Sequence, residues 1–305
     1  MFLCVTPCTP WCNDDNRYNY YLCFMKRLLT WLGKYKPIAI LLATVSYLSI
    51  VTFHDEVTQL AIRLRNAVGR DLYNAYLADF FVVLLLVVLA LLAWHIARSR
   101  RIWLNSILVS VIAGLMIFSF QYLLTYSIEA IHFVEYMIVA ILLFPVLRSY
   151  GETVFWVMIL GILDELFQYF FLVPEFEYFD FNDNFLNLLG AATGAIAVFV
   201  LAGDAIEIKN RRWYRSPAVI TGITLLALFS LMLITGKMTL NPTADGSSWF
   251  SLNRVAMTGG FWKEAYPGRS FHILRPMEGL VLYYLVFAGF FVLDWWEEKR
   301  RKLVA

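Results

Sequence analysis

The chain has 305 residues, of which 60% are hydrophobic and 17% aromatic, while only 16% are charged and the formal net charge is +2. Soluble domains carry about 25% charged residues, so this composition excludes an ordinary soluble domain. The small positive charge is a sum of local Lys and Arg excesses and gives no reason to expect a nucleic-acid partner.

Residues 1–36 are a Tyr- and Cys-rich stretch without clear hydrophobic periodicity, expected to be a cytoplasmic tail. All four cysteines (Cys4, Cys8, Cys12, Cys23) lie in it. Their spacing is not the paired Cys-x2-Cys of a zinc site and no histidine is near, so no metal is assigned to them. Met25-Lys26-Arg27 would serve as an alternative start.

Apolar runs long enough to cross the hydrocarbon, about 20 residues each, occur near 37–53, 79–97, 103–124, 127–147, 153–173, 184–203, 218–235 and 277–293. Trp94, Trp103, Tyr122, Trp213, Trp295 and Trp296 sit at their ends, as expected of residues at headgroup level. The predicted class is therefore an all-α polytopic membrane protein with about eight spans. Between the first two runs, Val57, Leu60, Ala61, Leu64 and Val68 recur at helical spacing beside Arg63, Arg65 and Arg70, which predicts a separate helix lying in the outer interface. Residues 236–276 form the one long extramembrane loop. Its Asn241-Pro242, Gly259-Gly260 and Pro267-Gly268 pairs predict turns, and Trp249, Phe250, Phe261, Trp262 and Tyr266 are its apolar anchors.

Lys and Arg placement orients the bundle. With the N-terminus in the cytoplasm, that side gathers Arg17, Lys26, Arg27, Lys34 and Lys36, then Arg98, Arg100 and Arg101, then Arg148, then Lys209, Arg211, Arg212 and Arg215, and finally Lys299, Arg300, Arg301 and Lys302. Both termini are expected on the cytoplasmic side of the membrane.

The fourth to sixth runs carry side chains that a lipid-facing helix would not. Glu129, His132 and Glu135 lie in the fourth, Asp164, Glu165 and Gln168 in the fifth, and Asp183, Asn184 and Asn187 in the sixth. An ionisable group at mid-membrane costs about 2.5–3.5 kcal/mol on the mildest insertion scale, so such groups face a bundle interior or a cavity. The topology puts all of them in the outer halves of their helices. His132 and Glu135 are three apart and Asp164 and Gln168 four apart, so each pair shares a face. Glu165 points about 100° from Asp164. Asp183, Asn187, Gly190 and Gly194 share one face, and Gly190-x3-Gly194 is a spacing that lets membrane helices approach closely. The expected site is a polar cavity of His132, Glu135, Asp164, Glu165, Gln168, Asp183 and Asn187, with Gly190 and Gly194 as packing residues.

On these residues the sequence resembles the VanZ-like family of small bacterial membrane proteins. The resemblance is carried by His132-Phe133-x-x-Tyr136, by Asp164-Glu165-x-x-Gln168 and by Asp183-x3-Asn187-x2-Gly190-x3-Gly194, in family order on consecutive helices. It covers about 103–204 and implies a four-helix core there, with flanking hairpins at 37–97 and 218–305 as additions. The family has a His beside the Gln, where this chain has Phe167, and a Pro-Gly-Arg soon after it. Here Pro174 is followed by Glu175 and Phe176, whereas a Pro267-Gly268-Arg269 occurs in the late outer loop. Arg269 is therefore expected to fold back over the cluster as a lid. The resemblance implies an envelope location and, for some members, tolerance of the glycopeptide antibiotic teicoplanin.

Three functions fit the residues. One is binding or modulation of an envelope component, with membrane lipids and an envelope precursor or lipophilic ligand as partners. The second is a membrane-embedded enzyme, in which the carboxylates and His132 hold a divalent cation or exchange protons. The third is a proton-coupled transporter, against which stands the lack of an internal repeat or a helix broken at mid-membrane. No nucleophile with its base is evident, so no catalytic residue and no cofactor beyond that cation is assigned. The sequence sets no oligomeric state.

Overall fold

The computed structural model describes residues 19–97, 101–172, 177–202, 208, 213–243, 248–256 and 260–304. Cys4, Cys8, Cys12, Arg17, Arg98, Arg100, Pro174, Glu175, Phe176, Lys209, Arg211, Arg212 and Gly259 lie outside them. The described residues form nine helices: α1 (Asn19–Lys34), α2 (Lys36–Val68), α3 (Arg70–Ile96), α4 (Ile102–Tyr122), α5 (Ile131–Leu147), α6 (Tyr150–Phe167), α7 (Phe181–Ala202), α8 (Pro217–Ile234) and α9 (Pro276–Val304). Eight of them, α2 to α9, are long and apolar enough to cross a membrane. The chain is an all-α multi-pass membrane protein.

Two expectations about the N-terminal part need correction. Residues 19–34 are not patternless: they form α1, which buries Leu29 and Leu32 and packs against α5 and α7. Nor is there a separate interfacial helix after residue 54, because α2 runs unbroken to Val68. No Gly or Pro interrupts it after Pro37, and it ends only at Gly69, whose positive φ of 88° breaks the helical path. At 1.5 Å per residue its 33 residues span about 50 Å, well beyond the roughly 30 Å hydrocarbon.

The bundle is built around α7, whose most apolar window is 89% buried, against 6% for α3 and for α8. Its small residues explain this. A Cβ on Gly190 would stand 2.9 Å from the backbone oxygens of His132 and Phe133, and one on Gly194 would stand 2.6 Å from that of Met137. The two glycines therefore set the α5–α7 approach expected of them. A Cβ on Gly161 of α6 would meet Asn187 at 2.9 Å, so α6 closes on α7 in the same way. Outside these three helices, α2 packs along α5, α9 along α6 and α7, and α4 against α7.

Between α8 and α9 the described residues form two small sheets. β1 (Met238–Thr239) pairs in parallel with β2 (Phe250–Ser251), and β3 (Lys263–Tyr266) pairs antiparallel with β4 (Arg269–Phe271) across a Pro267-Gly268 turn. Gly268 has φ 85°, which a Pro-Gly turn needs at its second central residue. The loop covers the end of the bundle where α4 and α6 finish and α7 begins. Phe179 N–H donates to Leu252 O, His272 N–H to Tyr122 O, and the Asn182 amide to both Leu123 O and His272 O.

At the opposite end a half-buried carboxylate organises the fold. Asp294 of α9 accepts from the Ser149 hydroxyl and from the Tyr150 and Gly151 N–H groups at 2.7–2.8 Å, capping the N-terminus of α6 from another helix. Asp294→Ala leaves those donors without an acceptor and is expected to destabilise the protein by about 1–3 kcal/mol. Thermal melts in detergent check this, and a melting temperature equal to wild type would refute the cap.

A polar chamber inside the bundle

The turn from α4 into α5 tightens into a short 3-10 segment, Ser127–Ala130, whose start is held by Glu129. The Glu129 carboxylate accepts from Thr125 N–H at 2.8 Å and Tyr126 N–H at 3.1 Å. That is a local cap, and both carboxylate oxygens are used in it. Helix α7 is capped in a similar way, by Asp180 rather than by Asp183 or Asn184: Asp180 Oδ1 accepts from the Asn182 and Asp183 N–H groups. Asn184 returns its amide to Asp180 O. Burial, and next the Asp183 carboxylate, push Asp180 up to about 7, against the two amide bonds that favour its anion.

With Asp180 serving as the cap, Asp183 is released to face inward. It meets His132 of α5, with Asp183 Oδ2 3.8 Å from His132 Nε2. The other imidazole nitrogen of His132, Nδ1, lies 3.6 Å from Glu135 Oε2, one turn along the same helix. Helix α6 contributes from its C-terminal end. The 100° between Asp164 and Glu165 sends them to different neighbours: Asp164 Oδ2 accepts from the Tyr136 hydroxyl of α5 at 2.9 Å, while Glu165 Oε1 lies 3.5 Å from the Asn187 amide of α7. Gln168, also 3.5 Å from Glu165 Oε1, begins a widened π turn, Gln168–Leu172, in which α6 loosens. Such turns recur at functional positions in helices.

The seven expected cavity residues thus converge. Asp164 and Asn187 are fully buried, and Glu165, Gln168 and His132 nearly so. Asp183 and Glu135 retain 17% and 23% side-chain exposure and so stand at the accessible edge of the cluster. Buried polar atoms need partners, since burial without a hydrogen bond costs free energy. Asp164 Oδ1, Asn187 Oδ1 and His132 Nδ1 have no hydrogen-bond partner among the described residues. The ion-pair partners of the chamber carboxylates, among those residues, are imidazole nitrogens.

Two residues that the sequence did not suggest also come near this region, both from α2. The His54 ring stacks beside the His132 ring, with centroids 6.2 Å apart and planes 26° from parallel. Tyr47 lies within electrostatic reach of Asp164. Only the packing of α2 along α5 brings them there.

Arg269 is elsewhere. Its guanidinium donates to Phe120 O at 2.8 Å and Leu124 O at 3.0 Å, satisfying carbonyls at the C-terminal end of α4, so the expected fold over the cluster is replaced by a helix cap. Arg254 donates to Tyr169 O, in the turn that ends α6, and stacks over the Tyr169 ring at 4.2 Å.

Among known proteins, residues 127–202 match the family model described as VanZ/LLP1. No curated protein and no solved structure matches. The matched segment starts at the 3-10 turn and ends with α7, so it contains all seven chamber residues and both packing glycines, while α4, His54 and Tyr47 lie outside it. The order of these residues along three consecutive helices, their convergence and the family match agree, and residues 127–202 of this multi-pass membrane protein are a VanZ-like segment.

Proposed function

We propose that the chain binds a polar component of the cell envelope in this chamber, from the outer side of a bacterial cytoplasmic membrane, with both termini in the cytoplasm. The observation that carries the reading is the set of buried atoms without a hydrogen-bond partner among the described residues, Asp164 Oδ1, Asn187 Oδ1 and His132 Nδ1, gathered from three helices. Asn182 and Asp294, by contrast, have their amide and carboxylate groups engaged by neighbouring donors and acceptors. Carboxylates and amides in this setting suit a hydrogen-bonding or cationic headgroup, such as that of a lipid-linked wall precursor or of a glycopeptide with an acyl tail. The positive charges between the spans support the orientation.

A deletion strain screened against cell-wall antibiotics, teicoplanin among them, tests this. Wild-type complementation is expected to restore the parental susceptibility, and Asn187→Ala to behave like empty vector while reaching the membrane in normal amount. If Asn187→Ala restored the phenotype and merely melted earlier, the side chain would be a packing residue and the reading would fall. A catalytic reading, metal-dependent turnover of an envelope lipid, draws support from the His132, Glu165 and Asp183 set. Conversion of the bound lipid, rather than its retention, would favour it.

A further inference from the structure

His132 of α5, Glu165 of α6 and Asp183 of α7 each direct one candidate ligand atom to a common point, with all three atoms within 4.8 Å of one another. Ligand atoms about 2.1 Å from one first-row ion stand roughly 3.0–4.2 Å apart, so side-chain shifts of under about 1 Å close the set. Its contacts are loose enough to allow this. His132 Nε2 and Asp183 Oδ2 are 3.8 Å apart, and both amides beside Glu165 Oε1 stand at 3.5 Å.

A second observation points the same way. The neighbouring Asp164 Oδ1 and Asn187 Oδ1 are fully buried acceptors without a donor among the described residues. A cation or its bound water gives both a partner. Behind the imidazole, Glu135 Oε2 faces His132 Nδ1 at 3.6 Å, where an outer carboxylate orients a ligating histidine.

We propose that His132, Glu165 and Asp183 form a divalent transition-metal site of the Zn2+ or Mn2+ class. One imidazole with two carboxylates suits these ions better than Mg2+ or Ca2+, which favour oxygen alone. Three protein ligands leave coordination positions free toward the accessible edge where Asp183 and Glu135 stand. The proposal rests on the chamber being the binding site, because the ion would present those positions to the headgroup.

The test uses the full chain purified in detergent, stripped with chelator and titrated separately with Mn2+ and with Zn2+. One ion per chain is expected by mass spectrometry of the metal content, and nitrogen coupling to bound Mn2+ by pulsed electron paramagnetic resonance. Asp183→Asn and Glu165→Gln are expected to weaken binding by more than the roughly 10–100-fold that loss of an outer partner costs, and Glu135→Gln by an amount within that range. Glu264→Gln, on the exposed side of β3, is expected to bind as wild type does. Melting of the metal-free variants at or above the wild-type temperature would establish that they fold; should they not fold, the nitrogen coupling in wild type decides. Substoichiometric metal, absence of nitrogen coupling, or unchanged affinity in folded Asp183→Asn and Glu165→Gln overturns the site. Failure here with an inactive Asn187→Ala removes the ion but leaves headgroup binding standing. Stoichiometric metal with a fully active Asn187→Ala does the reverse.

Discussion

Gly194→Leu is expected to prevent stable folding, and Gly194→Ala to lower stability by about 1–3 kcal/mol, the cost of forcing one extra carbon into a filled core. A Cβ at this position would lie 2.6 Å from Met137 O and 2.8 Å from the Ala140 Cβ. The first of these atoms is backbone and cannot rotate away, so α5 and α7 must separate. Gly190→Ala presses on His132 O and Phe133 O, both at 2.9 Å, and so displaces the residue that meets Asp183. It is expected to weaken ligand binding as well as stability. Gly114 of α4 provides the contrast, because nothing lies within 4 Å of its Cβ direction. Gly114→Ala should be neutral or gain up to about 1 kcal/mol from helix propensity. Thermal melts of the four variants in one detergent decide the matter. A Gly194→Ala protein melting with wild type would mean that the α5–α7 contact is not tight.

What the sequence made legible follows from which physical constraints are local. Hydrocarbon thickness acts on each span alone, so all eight spans are visible as apolar runs. The intramembrane acids and amides are also visible, because each stands out against its own helix. The course of α2 is not visible in the same way. The polar change at His54-Asp55-Glu56 looks like a membrane boundary, yet a helix continues until its backbone bonds are interrupted, and nothing interrupts them before Gly69. His54 and Tyr47 carry no local signal at all, since their approach to His132 and Asp164 depends on how α2 crosses α5. Asp294 is hidden for a similar reason. In sequence it precedes the terminal Trp295-Trp296 and basic cluster, as a boundary residue would, while its partners are the first residues of α6, more than 140 positions away. The Pro267-Gly268-Arg269 triplet misled in the opposite sense. It predicted the turn correctly, but the direction of the arginine was set by the free carbonyls of α4 rather than by the chamber.

Those carbonyls and the chamber lead to a pair of variants whose effects should be mirror images. Asp164→Asn is expected to abolish function while leaving the melting temperature unchanged or higher. The amide keeps the shape, and its oxygen still accepts from the Tyr136 hydroxyl now bonded to Asp164 Oδ2 at 2.9 Å. What is lost is Asp164 Oδ1, a fully buried acceptor without a hydrogen-bond partner among the described residues, which the substitution replaces with an N–H donor. A buried acceptor without a donor is unfavourable to folding, so its replacement is not expected to cost stability. Arg269→Ala should do the opposite. It removes the donor from Phe120 O and Leu124 O and is expected to lower stability by about 1–2 kcal/mol, with susceptibility near wild type at permissive temperature. Both quantities are measured on the same strains, by antibiotic panel and by melting of the purified proteins. Should Arg269→Ala lose function at full stability, or Asp164→Asn lose stability at full function, the division between a binding chamber and its structural surround would be drawn in the wrong place.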